Sequence, residues 1–205
     1  MDIVAIVDYD MSNIDSVVRA IQECGGDPIV TKKKEDFKKA NRIILPGVGA
    51  FPDAMKNLRR GNLHEILREQ VFDNKIPFLG ICLGMQLLAT TGWEGGKTEG
   101  LGWIEGDVKI FSSTEDDTRI PHIGWNNVET HKNHQLFNNI PSGKNFYFVH
   151  SYYFEAKNKN EVIGNTPYCG NFASAVAKDN IFGVQFHPEK SQKIGFQLLK
   201  NFLSI

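Results

Sequence analysis

Phe78-Leu79-Gly80-Ile81-Cys82-Leu83-Gly84-Met85-Gln86 places one cysteine between an apolar run and a helix-forming run, with a glycine two residues to either side. The apolar side reads as a buried strand, and Met85, Leu87 and Leu88 begin a helix. A cysteine at a tight strand-to-helix turn is the thiol form of a nucleophile elbow. Such a turn forces the nucleophile into a strained backbone conformation, and small neighbours avoid the clash. The thiol then projects from the carboxyl end of a sheet, where open α/β sheets form their ligand crevice. A helix start there supplies backbone N–H donors and favours the thiolate.

Upstream, the same alternation repeats. Residues 2–8 form an apolar run bounded by acids, which predicts a buried strand. Ser12 or Asn13 can cap the helix marked by Ile14, Val17, Val18 and Ile21, and Gly25-Gly26 ends it. Pro28–Thr31 and Arg42–Leu45 read as two more strands, the second stopped by Pro46-Gly47. The charged segment Lys32–Lys39 reads as a solvated helix face. Helical periodicity runs from 53 to 73 with a break near Gly61. Strands alternating with helices predict a mostly parallel sheet flanked by helices.

Downstream, glycines at 92, 95, 96, 100, 102 and 106 imply turns. Strand-like runs then follow at 106–111, 120–129, 145–149, 161–164, 172–177 and 181–186, with Asp179-Asn180 as a hairpin turn between the last two. Ile194–Leu203 reads as a closing amphipathic helix. With no repeat or linker, residues 1–205 read as one α/β domain whose second half adds antiparallel strands.

Composition narrows the class. Twenty-three basic and 24 acidic residues give a net charge of −1, so no electrostatic case exists for nucleic acid or a membrane surface. Three cysteines, Cys24, Cys82 and Cys169, are no disulfide framework and fit a reducing, cytoplasmic setting. The first eight residues lack the basic start of a signal peptide, and no run approaches the ~18 apolar residues of a membrane helix. Cys24 falls on the apolar stripe of its helix and is expected in the core, and Cys169 lies in a polar turn.

A thiol nucleophile needs a base, and the base needs an orienting group. Val184-Gln185-Phe186-His187-Pro188-Glu189 ends an apolar strand. Pro188 biases His187 towards extended geometry, in which His187 and Glu189 face the same side. Ile43-Ile44-Leu45-Pro46-Gly47-Val48-Gly49 ends in a turn that can aim an N–H at an oxyanion, with the N–H of Leu83 as second donor. No Gly-Lys-Ser/Thr follows, which disfavours a phosphate loop.

Together Pro46-Gly47-Val48-Gly49, Gly80-Ile81-Cys82-Leu83-Gly84-Met85-Gln86 and His187-Pro188-Glu189 resemble, in order and spacing, the class I (triad-type) glutamine amidotransferases. The resemblance implies that Cys82, His187 and Glu189 hydrolyse glutamine, with Val48 and Leu83 as oxyanion donors. It implies that Gly47, Gly49, Gln86 and the backbone of His150, Ser151 and Tyr152 hold the substrate. No cofactor or metal is expected.

Finer motifs are similar to the glutaminase subunit of imidazole glycerol phosphate synthase. These are Asp8-Tyr9, Pro121-His122-Ile123-Gly124-Trp125-Asn126, Tyr147-Phe148-Val149-His150-Ser151-Tyr152-Tyr153 and Phe186-His187-Pro188-Glu189-Lys190-Ser191. That likeness implies a heterodimer with a (β/α)8 cyclase, which receives ammonia and makes imidazole glycerol phosphate and AICAR in histidine biosynthesis. Tyr9, Asn13, Trp125, Asn126 and Lys190 are the implied interface residues. For Trp125 a core position is an equal alternative. The family's Gly-x-Gly-Asn after Asp-Tyr reads Asp10-Met11-Ser12-Asn13 here. A paralogous glutaminase serving a sugar-modifying synthase of surface polysaccharide therefore stays open. A thiol peptidase on a similar elbow is the rival from another class.

Overall fold

A computed structural model describes residues 2–113, 119–131 and 133–205. The apolar runs of the first half form β1 (Ile3–Val7), β2 (Asp27–Thr31), β3 (Arg42–Gly47) and β4 (Phe78–Cys82). Between them lie α1 (Ile14–Glu23), α2 (Lys34–Phe37), α3 (Phe51–Arg60) and α4 (Leu63–Arg68), the last continuing as a π-helical turn over Glu69–Asp73. One turn of helix, α5 (Leu83–Gln86), follows β4 directly. The glycine-rich segment carries the short strands β5 (Thr91–Gly92) and β6 (Thr98–Glu99). The second half supplies β7 (Gly106–Ile110), β8 (His122–Thr130), β9 (Lys144–His150), β10 (Tyr152–Ala156), β11 (Val162–Thr166), β12 (Phe172–Lys178) and β13 (Ile181–Val184), and α6 (Gln192–Leu203) closes the chain.

The sheet runs β2-β1-β3-β4-β13-β12-β10-β7-β5-β6. From β2 to β13 all pairings are parallel, and β12, β10 and β7 then continue it antiparallel. β11 pairs with β12 and leads to a β8–β9 ribbon beside the main sheet. Alternation along the strands fills both faces. Ala5, Val7, Ile43 and Leu45 pack with α3 and α4, and Val4, Ile6 and Ile44 pack with α1 and α6. Both faces of the parallel strands are therefore covered, as a sheet made of near-continuous apolar runs requires. Phe78, fully buried, meets Trp103 edge-on at 4.9 Å. Truncating an aromatic so placed costs about 3–5 kcal/mol.

Three expectations need correction. Pro46-Gly47 do not stop β3, which pairs through Pro46↔Ile81 to Gly47↔Cys82. β1 pairs with β3 only from Arg42 to Ile44, so beyond that point Pro46 sits on a free edge where its missing N–H breaks no ladder. β10 was not expected, because only Ser151 separates it from β9 and no turn signal marks the break. Cys24 is half-buried at the end of α1, not in the core, and its Sγ donates to the Phe196 carbonyl at 3.5 Å. Asn13 does occupy the N-cap position of α1, but its side chain makes no capping hydrogen bond.

Candidate active site

β4 delivers Cys82 to the mouth of the sheet with φ 55° and ψ −111°. A non-glycine residue at positive φ carries strain that the surroundings must hold in place. The flanking glycines do so by close approach. A Cβ on Gly84 would lie 1.8 Å from the Leu45 carbonyl oxygen, and one on Gly80 would lie 2.5 Å from the Gly84 carbonyl oxygen. The helix after the elbow is a single turn, so local N–H groups rather than a long dipole face the thiol. Leu83, as its first residue, has no carbonyl partner within the helix for its N–H.

β13 lies beside β4 and carries the chain to His187. His187 Nδ1 and Glu189 Oε1 are 2.8 Å apart, with both side chains at least 96% buried. The His187 N–H donates to the Tyr147 carbonyl, and Ser191 Oγ donates to the His187 carbonyl and accepts from the Tyr147 N–H. The segment is thereby clamped to β9. Burial alone would lower the His187 pKa. The Cys82 charge, then Glu189, overcome this and push it up to about 10. His187 Nε2 itself makes no hydrogen bond among the described residues, and Cys82 Sγ meets the Val149 carbonyl at 4.0 Å and Gln185 Nε2 at 3.7 Å. The arrangement favours an imidazolium beside Cys82.

A cleft of about 270 Å³ opens over Cys82. It is lined by Val48, Gly49, Leu83, Gln86, the strap Val149–Tyr152 and His187. Glu94 also lines it, and its Oε2 accepts from the Phe51 N–H at 2.7 Å. A buried thiol, an imidazole and its carboxylate open into a space sized for an amino acid. That combination can carry out acyl transfer from an amide to the thiol and then to water.

Residues 5–205 match the glutamine amidotransferase class-I family. The chain belongs to that family. This amidotransferase is 45% identical over 203 residues to imidazole glycerol phosphate synthase subunit HisH 1 of Campylobacter jejuni (strain RM1221), covering 98% of this chain and all of that one. It is 42% identical over 202 residues to subunit HisH 2 of Pseudomonas aeruginosa, covering 98% and 99%. In fold it is similar to a solved glutamine amidotransferase at TM-score 0.76 and 18% identity, covering 98% of this chain and 97% of that one. The PurLQS structure from Thermotoga maritima gives TM-score 0.73 at 18% identity, covering 100% and 99%.

The remaining expected residues of this amidotransferase fall in distinct places. Gln86 is buried beside the cleft, and its Nε2 donates both to the Tyr152 carbonyl (2.9 Å) and to Gln185 Oε1 (3.0 Å). Its two amide protons are thus used, and only its oxygen remains to meet a ligand. The ring of His150 is likewise committed, to the Tyr152 carbonyl and to His122. The Val48 N–H donates to the Met11 carbonyl at 2.9 Å. Gly47 lies so close to Tyr9 that a Cβ there would be 2.3 Å from the phenol oxygen. Gly49 takes φ +98° under the Met11 methyl.

The implied interface residues divide. Asn13 and Lys190 are exposed, and Trp125 is 49% exposed, which settles it as a surface aromatic rather than a core one. Tyr9 is 2% exposed and offers no side chain to a partner; its hydroxyl is buried without a hydrogen-bond partner. Asn126 turns inward, donating to the Pro167 carbonyl at 3.2 Å and contacting His122. The cause is strand alternation in the ribbon: Ile123↔Val149 and Trp125↔Tyr147 share the outer face, and His122↔His150 and Asn126↔Phe146 share the inner one.

Sequence reasoning missed Glu94, Gln185 and the pairing of His122 with His150. Glu94 comes from the glycine-rich segment, where no periodicity marks it. Gln185 had a usable signal: it stands two residues before His187 in an extended run and so faces the same side. Among the described residues no helix is long and apolar enough to cross a membrane, and no three or more His, Cys, Asp or Glu side chains are grouped to hold a metal.

Proposed function

We propose that this chain is the glutaminase subunit of an imidazole glycerol phosphate synthase, with Cys82, His187 and Glu189 as its catalytic triad. The observation that carries the reading is the buried Cys82–His187–Glu189 arrangement at one cleft, in a chain 40–46% identical over nearly its full length to subunits of that name.

In this mechanism the Cys82 thiolate attacks the side-chain carboxamide carbon of glutamine, forming the C–S bond and a tetrahedral oxyanion. The N–H groups of Leu83 and Val48 receive that charge, each such donor being worth ~3–4 kcal/mol of barrier. The C–N bond then breaks as His187 gives its proton to the leaving nitrogen, releasing ammonia and leaving a glutamyl thioester. His187, now neutral, takes a proton from water, whose oxygen attacks the thioester. Glutamate departs and the thiolate returns. Glu189 holds the imidazole through Nδ1 and stabilises its charged form.

The substrate's α-ammonium fits two acceptors of the cleft: the Gln86 oxygen and the Glu94 carboxylate, whose Oε2 is already held by the Phe51 N–H. Val48 serves only after the Gly47–Val48 peptide turns away from Met11. The loop at Asp10–Asn13 therefore governs the oxyanion site.

The partner is a (β/α)8 cyclase that takes ammonia directly, because free ammonia is mostly protonated near neutral pH. It docks on the outer face of β8–β9, where Ile123 (61% exposed), Trp125 and Val149 (37%) form an apolar patch beside the cleft mouth, flanked by Lys190. Asp10 and Ser12 favour a second reading of the acceptor, a sugar-modifying synthase. Asp10 itself keeps the positive φ (66°) that a glycine would take, and it pairs with Arg60 at 3.4 Å. Mixing the chain with a cyclase and the phosphoribulosyl aminoimidazole carboxamide precursor, and separately with a synthase and its sugar acceptor, tests this. Glutamine-dependent imidazole glycerol phosphate formation is the expected result, and transfer only to the sugar acceptor contradicts it.

A further inference from the structure

We infer that Gln185 is a further catalytic residue that donates a hydrogen bond to the Cys82 sulfur, its amide orientation fixed through Gln86 by the Tyr152 carbonyl, which a chain from Asn126 through two neutral histidines holds from its other side. This rests on the glutaminase reading for its role, though not for its geometry.

The direction of every link can be worked out. The Tyr152 carbonyl can only accept, so His150 Nδ1, 2.8 Å away, carries a proton. Burial pushes the His150 pKa down to about 3, with the His122 and His187 charges adding to burial and the Tyr152 carbonyl opposing it. The ring is therefore neutral, and its Nε2 is an acceptor. His122 Nδ1 lies 3.0 Å from that nitrogen and must be the donor. His122 Nε2 then accepts from Asn126 Nδ2 at 3.2 Å. Asn126 cannot be turned over, because its Nδ2 also donates to the Pro167 carbonyl and its Oδ1 accepts the Asn127 N–H.

The same carbonyl sets the other half of the chain. Tyr152 O also accepts from Gln86 Nε2, which fixes the Gln86 amide. Gln86 Nε2 donates in turn to Gln185 Oε1, which fixes the Gln185 amide. Gln185 Nε2 is left facing Cys82 Sγ at 3.7 Å. Gln185 is wholly buried, so no water competes for that donor. A donor on sulfur stabilises the thiolate that attacks glutamine and that returns when the thioester is hydrolysed. His122 and His150 are positioning residues: they hold the Tyr152 carbonyl to which Gln86 donates and do not touch the substrate.

Two measurements decide it. In the 15N-labelled chain near pH 7, NMR should find both His122 and His150 neutral and protonated on Nδ1, with a scalar coupling across the His122 Nδ1–H···Nε2 His150 bond. A proton on Nε2 of His150, or a charged ring there, overturns the chain. In the second, Gln185→Met should slow alkylation of Cys82 by iodoacetamide, followed on its own peptide, by about tenfold, the size of one hydrogen bond to a charged group. In complex with the synthase the same variant should lose a similar factor in kcat for glutamine, with KM nearly unchanged. Unchanged alkylation, or a raised KM with full kcat, overturns the role of Gln185. A wild-type complex without glutaminase activity would instead sink the glutaminase reading, leaving the NMR and alkylation results to judge the chain.

Discussion

The Val48 N–H donates to the Met11 carbonyl at 2.9 Å, so the backbone donor expected at the oxyanion is engaged elsewhere. Met11 belongs to the Asp10–Asn13 segment between β1 and α1, and its methyl also lies over Gly49. The chain alone therefore rests with one oxyanion donor occupied. Binding of the synthase partner should raise kcat for glutamine hydrolysis by about 100- to 1,000-fold, the worth of one such donor. Steady-state assays with and without partner check this. Equal rates would mean that Val48 is not a donor or needs no release.

The elbow depends on Gly84 in a way that stability can report. Gly84→Ala would drive a Cβ into the Leu45 carbonyl at 1.8 Å, and neither backbone can yield without moving β3 or α5. A loss of about 3 kcal/mol or more is expected in urea unfolding. Gly61→Ala is the control: its nearest contacts are 3.5 Å or longer and its φ is −86°, so a change within ~0.5 kcal/mol is expected.

Much of this was legible in the sequence because the chemistry sits where local pattern is strongest. Cys82 ends an apolar strand and His187 follows another, although β13 stops at Val184, and Glu189 reaches His187 Nδ1 from a 3-10 turn over Pro188–Lys190 rather than along the extended run its spacing suggested. Long-range pairing was not legible. That Pro46-Gly47 extend β3 depends on where β1 stops. That Tyr9 is buried and Asn126 faces inward depends on what packs over them. Glu94 reaches the cleft only because the glycine-rich loop folds back to the start of α3.

His150 gives the fold an acid limit. Its pKa is near 3 folded against the ordinary 6.5, so the unfolded chain binds a proton that the folded one refuses. The stabilisation is complete above pH 6.5 and is lost as pH falls from 6.5 towards 3, by up to ~1.4 kcal/mol per unit. Urea midpoints across that range should fall less steeply in His150→Gln than in the wild type. Parallel slopes would show that His150 is not held neutral.

Cys82 as nucleophile is the claim on which the rest depends. The direct measurement is turnover by Cys82→Ala in complex with its synthase, supplied in turn with glutamine and with an ammonium salt. Glutamine-dependent turnover should vanish, by at least ~10⁴-fold as for other lost nucleophiles, while ammonium-dependent turnover persists. Glutamine hydrolysis retained in that variant would contradict the account.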